Sequence, residues 1–494
     1  MELRIKLLKW WSTGFPVAIL NEKTAEEIGV RPSDRISIRT FSTRPTEITT
    51  IIDTAKGVVR KNEIAVSHEL KQRLGLKSGQ KVNINLAESP KSLESIKKKL
   101  NKKTLSEKEI LEIIDDVVNN SLAESEIALF ISAMHKNGMN LEEITFLIKA
   151  ILKTGNKLKL KDKFVIDKHS IGGVAGNRTT PIVVSICAAA GGLVFPKTSS
   201  RAITSAAGTA DVIEMIANVE FSIKQIKKIL KKTKACMVWG GALGMVPADS
   251  KIIRIEKSLG IDPQSQLLAS IMAKKLAVGS KYILIDIPYG KSAKANKQQA
   301  IQLKHKFEKL GKFFKVKLKC ILTDGSQPIG NGVGPALELT DVIKVLKNEQ
   351  GLPKDLEKKS LFLAGEIFEM IGKSKKGKGI QLAKEILSSG KAFEKFKKII
   401  EAQGGDLNRI KLAKLSHVVV SKKSGKIKEI DNKKINFLAR ITGCPLDKSA
   451  GLFIHSHVNE KVKKGKPLLT IYSESEQRLN QAVKFYQDKK PIKI

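Results

Sequence analysis

Two glycine- and hydroxyl-rich segments of this 494-residue chain contain the residue types that bind phosphate groups. Residues 199–214 read Ser-Ser-Arg-Ala-Ile-Thr-Ser-Ala-Ala-Gly-Thr-Ala-Asp-Val-Ile-Glu, and residues 167–180 read Asp-Lys-His-Ser-Ile-Gly-Gly-Val-Ala-Gly-Asn-Arg-Thr-Thr. Backbone N–H groups at a helix start bind anions, and small residues let the main chain approach the ligand closely. Two such segments in one domain predict an enzyme that handles two phosphate groups.

Each of these segments follows a short strand pattern. Residues 163–167 and 193–195 read as strands, and residues 180–190 between them read as a buried helix. Further strands are predicted at residues 234–238, 281–287 and 316–322. An alternation of strand, glycine loop and helix predicts an α/β sheet whose ligand lies beyond the carboxyl ends of the strands.

The two segments together resemble the thymidine and pyrimidine nucleoside phosphorylase family. The motif is Asp-Lys-His-Ser-x-Gly-Gly-Val, followed further along the chain by Ser-x-Arg, Gly-Thr-x-Asp and Glu. Within that family the chain most resembles the archaeal-type AMP phosphorylases. Its loops read Gly-Gly-Val-Ala-Gly-Asn-Arg and Ser-Ser-Arg-Ala-Ile-Thr-Ser, where the nucleoside enzymes usually have Gly-Gly-Val-Gly-Asp-Lys and Ser-Gly-Arg-Gly-Leu-Gly-His. The resemblance covers roughly residues 100–490 and implies an α/β fold of the type II nucleoside phosphorylase kind.

Four domains are expected. An internal repeat, Ile-Gly-Val-Arg-Pro at residues 28–32 and Leu-Gly-Leu-Lys-Ser at residues 74–78, predicts an N-terminal double-psi-like β-barrel. The polar, lysine-rich composition that begins at residue 88 indicates a linker. The predicted boundaries are 1–87 for the barrel, 88–105 for the linker, 106–160 (plus about 247–280) for a small helical domain, 161–246 and 281–405 for the α/β phosphate-binding domain, and 406–494 for a C-terminal α+β domain. We interpret the barrel and the C-terminal domain as structural modules.

In the family that the chain resembles, inorganic phosphate attacks the sugar of the substrate. The resemblance assigns the binding of this phosphate to a small set of side chains. Lys168 supplies a positive charge, and Ser170, Thr179 and Ser199 supply hydroxyl donors. His169 lies beside them in the sequence, and it is equally consistent with a hydrogen bond to the ligand and with a purely structural role.

A second set is implied to bind the nucleotide. Arginine suits a 5′-phosphate because its planar guanidinium pairs with two oxygens at once. Thr204 and Ser205 replace the glycine and histidine of the nucleoside enzymes, which favours a nucleotide substrate. The predicted substrate-binding residues are Gly173, Ser200, Arg201, Ala202, Ile203, Thr204, Ser205, Thr209, Ser270 and Lys294.

Asp262 is the candidate general acid by resemblance, and in that role its carboxyl must be buried to hold a proton. The sequence Asp262-Pro263 before an apolar-periodic helix is also typical of a helix N-cap with proline at the first position. Both readings remain open. Ser270 and nearby Lys274 are the residues that the family uses to read the base, whereas Arg254 is one residue out of place for the base-contacting arginine of the pyrimidine enzymes.

The resemblance therefore implies the phosphorolysis of nucleoside 5′-monophosphates (AMP, with CMP and UMP as further candidates) to free base and ribose 1,5-bisphosphate, with no metal or organic cofactor. Thymidine or pyrimidine nucleoside phosphorylase is the nearest alternative. An anthranilate-type phosphoribosyltransferase would need a Gly-Thr-Gly-Gly loop that we do not find. A nucleic-acid-binding protein is the alternative from another class.

Composition bounds the remaining possibilities. The net charge of +40 suits anionic substrates, but the excess is lysine spread along the whole chain, so we do not expect nucleic acid or a membrane among the partners. Four scattered cysteines fit neither a zinc site nor a disulfide framework, and the start of the chain has no apolar signal segment. We expect a cytoplasmic enzyme whose partners are AMP and inorganic phosphate, assembled as a homodimer or larger homo-oligomer.

Overall fold

The computed structural model describes residues 1–8, 17–202 and 205–494. These residues divide into two compact units, Met1–Gly155 with Pro247–Ser270 and Asn156–Val246 with Ile271–Ile494, which are described separately. Elements are numbered in chain order. Among the described helices, none combines the length and the apolar character that crossing a membrane requires.

The first unit begins with a β-barrel. Its elements are β1 (Glu2–Leu7), β2 (Val17–Leu20), α1 (Glu22–Ile28), β3 (Arg35–Thr40), β4 (Glu47–Thr54), β5 (Glu63–Val66), α2 (His68–Leu74) and β6 (Lys81–Leu86). The strands close in the order β1-β5-β2-β4-β3-β6, which confirms the predicted barrel. Helices α1 and α2 end at Gly29 and Gly75 with φ of 79° and 61°, a conformation that glycine adopts without strain. The sequence repeat is therefore a repeat of helix, glycine cap and strand.

A helical bundle completes the first unit. Its helices are α3 (Ser92–Leu100), α4 (Glu107–Asn119), α5 (Glu124–Asn137), α6 (Leu141–Lys153), α10 (Pro247–Leu259) and the first part of α11 (Gln264–Ala277). Asn140 is the N-cap of helix α6, and its side chain accepts from the Glu143 amide.

Residues 88–105, expected to form a linker, instead contain helix α3. Ile96 on this helix is buried, and Lys99 forms a buried ion pair with Glu143 at 2.8 Å. The composition suggested a linker because the outer face of the helix is lysine-rich. The inner face joins the segment to the helical bundle.

The second unit contains a parallel sheet. Its strands are β7 (Ile166–Ser170), β8 (Phe195–Ser199), β9 (Ala235–Trp239), β10 (Tyr282–Tyr289) and β11 (Lys317–Asp324). They run in the orders β11-β10-β7 and β8-β9, and a parallel bridge between Val165 and Val194 links the two groups. The carboxyl ends of β7 and β8, which lead into the two glycine-rich loops, therefore lie at the same edge.

Helices surround this sheet. They are α7 (Thr179–Ala189), α8 (Thr209–Glu214), α9 (Ile223–Thr233), α12 (Lys297–Phe313), α13 (Pro335–Lys347), α14 (Lys354–Met370), α15 (Gly379–Ser388) and α16 (Lys391–Ala402), with 3₁₀ turns at Gly240–Leu243 and Leu407–Arg409. Residues 179–188 of α7 are all buried, which explains why this helix is apolar on every side.

The C-terminal module belongs to the same unit. Its elements are β12 (Gly332–Val333), β13 (Leu415–Val420), β14 (Gly425–Lys426), β15 (Glu429–Ile430), α17 (Asn432–Ile441), β16 (Gly451–Ile454), β17 (Lys461–Val462), β18 (Pro467–Ser473), α18 (Glu476–Lys489) and β19 (Ile492–Lys493). The main sheet has the order β12-β16-β18-β13. Strand β12 comes from the segment assigned to the α/β domain, so the module shares a sheet with that domain.

Candidate active site

Lys168 lies within β7 and is fully buried. Its Nζ donates to Thr179 Oγ1 at 2.6 Å and to Thr180 Oγ1 at 3.3 Å, both in the first turn of α7. Burial lowers the pKa of Lys168 to about 7, and the Asp286 carboxylate partly opposes that shift. The predicted phosphate ligands Lys168 and Thr179 are therefore brought together at a helix start.

The loop after β7 packs its backbone against two other loops. Gly173 has φ of 87°, and a Cβ on it would lie 2.4 Å from the backbone N of Lys294. Gly176 has φ of 68°, and a Cβ there would lie 2.2 Å from the Ile329 carbonyl oxygen. Only glycine fits at these positions. The predicted ligands Gly173 and Lys294, distant in sequence, are neighbours.

A network of buried charged side chains contacts the strand that leads into this loop. Asp167 accepts from Lys197 Nζ at 3.2 Å and from Lys275 Nζ at 2.9 Å, and Lys197 also donates to the Lys168 carbonyl oxygen at 2.7 Å. Asp286 pairs with Lys359 at 3.1 Å. This network could not be predicted from the sequence, because its members come from separate elements. The sequence contained one indication of a buried ion pair, the acidic residue directly before Lys168.

His169 sits among these cations. Burial, followed by the fields of Lys275 and Lys197, lowers the pKa of His169 well below its ordinary value. The imidazole is therefore neutral at neutral pH and does not add a positive charge to the loop.

The loop after β8 is shaped by Asp211 on α8. The Asp211 carboxylate accepts from the Ala202 and Gly208 amides, each at 2.7 Å. A Cβ on Gly208 would lie 2.5 Å from the Ser200 carbonyl oxygen, so the loop folds tightly onto itself. Ser200 in this loop is exposed.

The other predicted ligands near the two loops make few and mostly long hydrogen bonds within the chain. Ser199 ends β8, and its Oγ lies a long 3.5 Å from the Val238 carbonyl oxygen. Ser205 donates to the Ala207 carbonyl oxygen at 3.1 Å. Ile203 and Thr204 lie outside the described residues. In the first loop, Ser170 Oγ similarly accepts the Gly172 amide at 3.5 Å.

Arg201 is engaged by carboxylates of its own chain. Its guanidinium donates to Glu214 at 2.6 Å and to Glu220 at 2.8 Å, and it stacks 4.8 Å from the centre of the Trp239 ring. The hydrogen bond to Glu214 raises the pKa of Arg201 and lowers that of Glu214 to about 2, so both are charged. Any anion that binds this guanidinium must compete with Glu214.

Arg178 connects the two loops directly. Its guanidinium donates to Thr209 Oγ1 and to the Ala207 carbonyl oxygen, each at 2.9 Å, and to Glu338 at 2.7 Å. Burial raises the pKa of Glu338 to about 7, whereas the charge of Arg178 lowers it. In the sequence Arg178 is only one residue of the first motif. Its bridging role could not be predicted, because its partners lie far along the chain.

Replacing Arg178 with methionine is expected to lower the free energy of unfolding by about 3–5 kcal/mol, because Glu338 is left buried without its partner. The double variant Arg178→Met with Glu338→Gln should recover part of this loss. Urea denaturation measures both. The exposed pair of Lys354 with Glu357, 3.1 Å apart, is the control, and Lys354→Met should cost at most about 1 kcal/mol. Equal losses in Arg178→Met and Lys354→Met would refute the bridging role.

Asp262 and Ser270 belong to the first unit. Helix α11 begins at Gln264, and the Leu267 amide donates to the Pro263 carbonyl oxygen at 3.0 Å, so Asp262 lies two residues before the helix. The Asp262 side chain is exposed, so the described residues do not provide the burial expected of a proton donor. Ser270 is buried on the same helix, one turn before Lys274.

A cavity of about 420 Å³ lies elsewhere in the second unit and includes none of the predicted ligands. Lys347, Lys391 and Lys395 are among the residues that line it. Within the described ranges, no group of three or more histidine, cysteine or acidic side chains is arranged to hold a metal ion.

Three family domains match this chain. The helical bundle domain of the glycosyl transferase family matches residues 93–155, its a/b domain matches residues 162–393, and the pyrimidine nucleoside phosphorylase C-terminal domain matches residues 426–493.

Full-length relatives are also similar. The AMP phosphorylase of Pyrococcus abyssi is 47% identical, with 100% of this chain and 98% of the relative covered. The AMP phosphorylase of Methanococcus vannielii is 42% identical, with coverage of 97% and 95%. Among solved structures, anthranilate phosphoribosyltransferase from Thermus thermophilus is similar with a TM-score of 0.53 and 18% identity, covering 63% of this chain and 99% of that one. At that identity the likeness shows the fold alone.

Proposed function

The chain belongs to the AMP phosphorylases of the glycosyl transferase family, and from that membership we propose that it catalyses the phosphorolysis of nucleoside 5′-monophosphates. The products are the free base and ribose 1,5-bisphosphate. The observation that carries this proposal is the similarity over the full chain to relatives named AMP phosphorylase. The two glycine-rich loops at one sheet edge support it, because the reaction needs room for two phosphate groups.

In this reaction a phosphate oxygen forms a bond to C1′ of the ribose while the bond from C1′ to the base nitrogen breaks. The base leaves with the electron pair of that bond and takes up a proton. Charge develops on the sugar and on the base in the transition state, by analogy with other glycosyl transfers. The protein must therefore hold phosphate in line, balance its charge and protonate the base.

We assign the attacking phosphate to Lys168, Ser170, Thr179 and Ser199. The contact between Lys168 and Thr179 supports this assignment, since it fixes a cation and a hydroxyl at the start of α7. A phosphate placed there would also stabilise the charged form of Lys168. The buried network of Asp167, Lys197 and Lys275 would keep the loop rigid.

We assign nucleotide binding to the second loop, and we include Gly173 and Lys294 among the residues that bind the nucleotide. The loop residues in this assignment are Ser200, Arg201, Ala202, Ile203, Thr204, Ser205 and Thr209. The pairs of Arg201 with Glu214 and Glu220 support a further role for Arg201, since they hold the loop in shape. Ser270 and Lys274 would read the base. Asp262 would donate the proton to the base.

The test is phosphate-dependent base release from AMP, CMP, UMP, adenosine and thymidine, followed by chromatography. Adenine release from AMP should exceed release from adenosine at equal concentration, and ribose 1,5-bisphosphate should form in equal amount. Thymidine is included because the C-terminal region matches a pyrimidine nucleoside phosphorylase domain. A preference for thymidine over AMP would overturn the proposal.

We further propose a homodimer or larger homo-oligomer in the cytoplasm. The cysteines at 187, 236, 320 and 444 are free thiols, which supports a reducing compartment. Size-exclusion chromatography with light scattering tests the assembly.

A further inference from the structure

One helix of the C-terminal module contacts the first glycine-rich loop. Asn432, the first residue of α17, accepts the Ala175 amide on its Oδ1 at 3.0 Å. Its Nδ2 donates to the Gly325 carbonyl oxygen at 3.0 Å and to Ser292 Oγ at 3.2 Å. Ser292 lies two residues before Lys294. A single buried side chain thus joins the first loop to the segment that carries Lys294.

The same helix contacts the second loop one turn later. Asn436 accepts the Ala206 amide on its Oδ1 at 3.1 Å and donates from Nδ2 to the Asn432 carbonyl oxygen at 3.0 Å. Residues four apart share one face of a helix, so both asparagines face the loops. The two glycine-rich loops are therefore attached to one rigid element.

These hydrogen bonds satisfy backbone groups that water does not reach. Ala175 and Ala206 are each 1% exposed, and Asn432 and Asn436 are 0% and 8% exposed. A buried amide that loses its acceptor is costly, so the loop would move to find another. An asparagine meets both requirements because it accepts from the loop and donates to a second group.

We propose that Asn432 and Asn436 are positioning residues that hold the two phosphate loops at a fixed separation, so that the C-terminal module is part of the active site. This inference rests on the proposed function, because it assigns the two loops to the two phosphates. Arg178 ties the loops to each other, and α17 sets where each loop lies. Asn432 acts on the first loop and the Lys294 segment, whereas Asn436 acts on the second loop.

The test compares variants of Asn436. Asn436→Leu has similar size but no acceptor, and it should raise the KM for AMP about tenfold while the KM for phosphate changes less than about twofold. Asn436→Asp keeps the acceptor for the Ala206 amide but loses the donor to the Asn432 carbonyl oxygen, so it should restore part of the AMP affinity. Asn432→Leu should raise both KM values, since it releases the first loop and the Lys294 segment together. Asn436→Ala is the smaller substitution to use if Asn436→Leu does not fold.

Ser473→Ala is the control for simple destabilisation. Ser473 donates to the Thr442 carbonyl oxygen at 2.8 Å and accepts the Ser475 amide at 3.3 Å, and both partners belong to the same module. It should lower Tm and leave both KM values unchanged. Unchanged KM values in Asn436→Leu, or an equal rise in Ser473→Ala, would overturn the inference.

A wild-type enzyme without AMP turnover would refute the proposed function alone. The positioning role is then judged by calorimetry with AMP and with inorganic phosphate. Weaker AMP binding in Asn436→Leu, restored in part in Asn436→Asp, would support it. Equal binding in all variants, or no binding of either ligand to the wild type, would overturn it.

Discussion

Lys168→Met is expected to lower kcat/KM for phosphate by about 100- to 1,000-fold, because it removes a buried cation held in place by Thr179 before the substrate arrives. Methionine matches the length of the lysine stem, so the loss reports the charge and its hydrogen bonds. Steady-state kinetics at saturating AMP with varied phosphate give the value. Lys163→Met removes the same charge at an exposed position shortly before β7 and should change little. An unchanged KM and kcat in Lys168→Met would exclude Lys168 from the phosphate site.

The pH dependence provides a second measure of the same charge. The pKa of Lys168 is about 7, so its ammonium is present below pH 7 and is lost as the pH rises. The advantage of the wild type over Lys168→Met in phosphate affinity should therefore shrink between about pH 7 and pH 9. The ionisation of phosphate itself cancels in this ratio. The stability effect has the opposite sign: between about pH 7 and the ordinary lysine pKa of 10.5 the unfolded chain binds more protons, so this group makes unfolding less favourable as the pH rises.

Gly173→Ala is expected to reduce kcat/KM for AMP about 100-fold or more. The added Cβ would lie 2.4 Å from the Lys294 backbone N and 2.5 Å from its Cβ, so either the first loop or the Lys294 segment must move. A displacement of that size removes the alignment of reacting groups on which the rate depends. The measurement is the kinetics of AMP phosphorolysis, with circular dichroism to verify folding.

Gly172→Ala is the matched control for Gly173→Ala. Gly172 has φ of 84°, nearly the same as Gly173, but no atom lies within 4 Å of a Cβ built on it. The control carries the same backbone strain without the clash, so it should cost about 1 kcal/mol of stability and little activity. Equal activity losses in the two variants would show that strain, and not the close approach to Lys294, explains the effect.

The sequence alone predicted the elements around the site, because their signals are local. The glycines at 29 and 75 end helices, Asn140 begins one, and each glycine-rich segment follows a strand of the sheet. These features depend on neighbouring residues only: a cap, a turn or a periodic apolar face. The order of strands and loops that brings the two glycine-rich segments to one edge follows from them.

The carboxyl end of β7 could not be predicted from local sequence patterns. The apolar run predicted a strand over residues 163–167, which leaves Lys168 in a loop. In the structure β7 continues to Ser170 because it pairs with β10, with Lys168 opposite Leu284. This pairing buries Lys168 and lowers its pKa, and it depends on a segment more than a hundred residues away.

Tertiary structure also decided the partners of the site residues. Glu214 and Glu220 engage Arg201, Glu338 pairs with Arg178, and the amides of Ala175 and Ala206 find their acceptors on α17. The sequence determined which residue types could bind phosphate, because backbone freedom, charge and hydroxyl content belong to single residues. It could not determine which of them are already paired, because buried hydrogen bonds and ion pairs form between whichever groups the folded chain brings into contact.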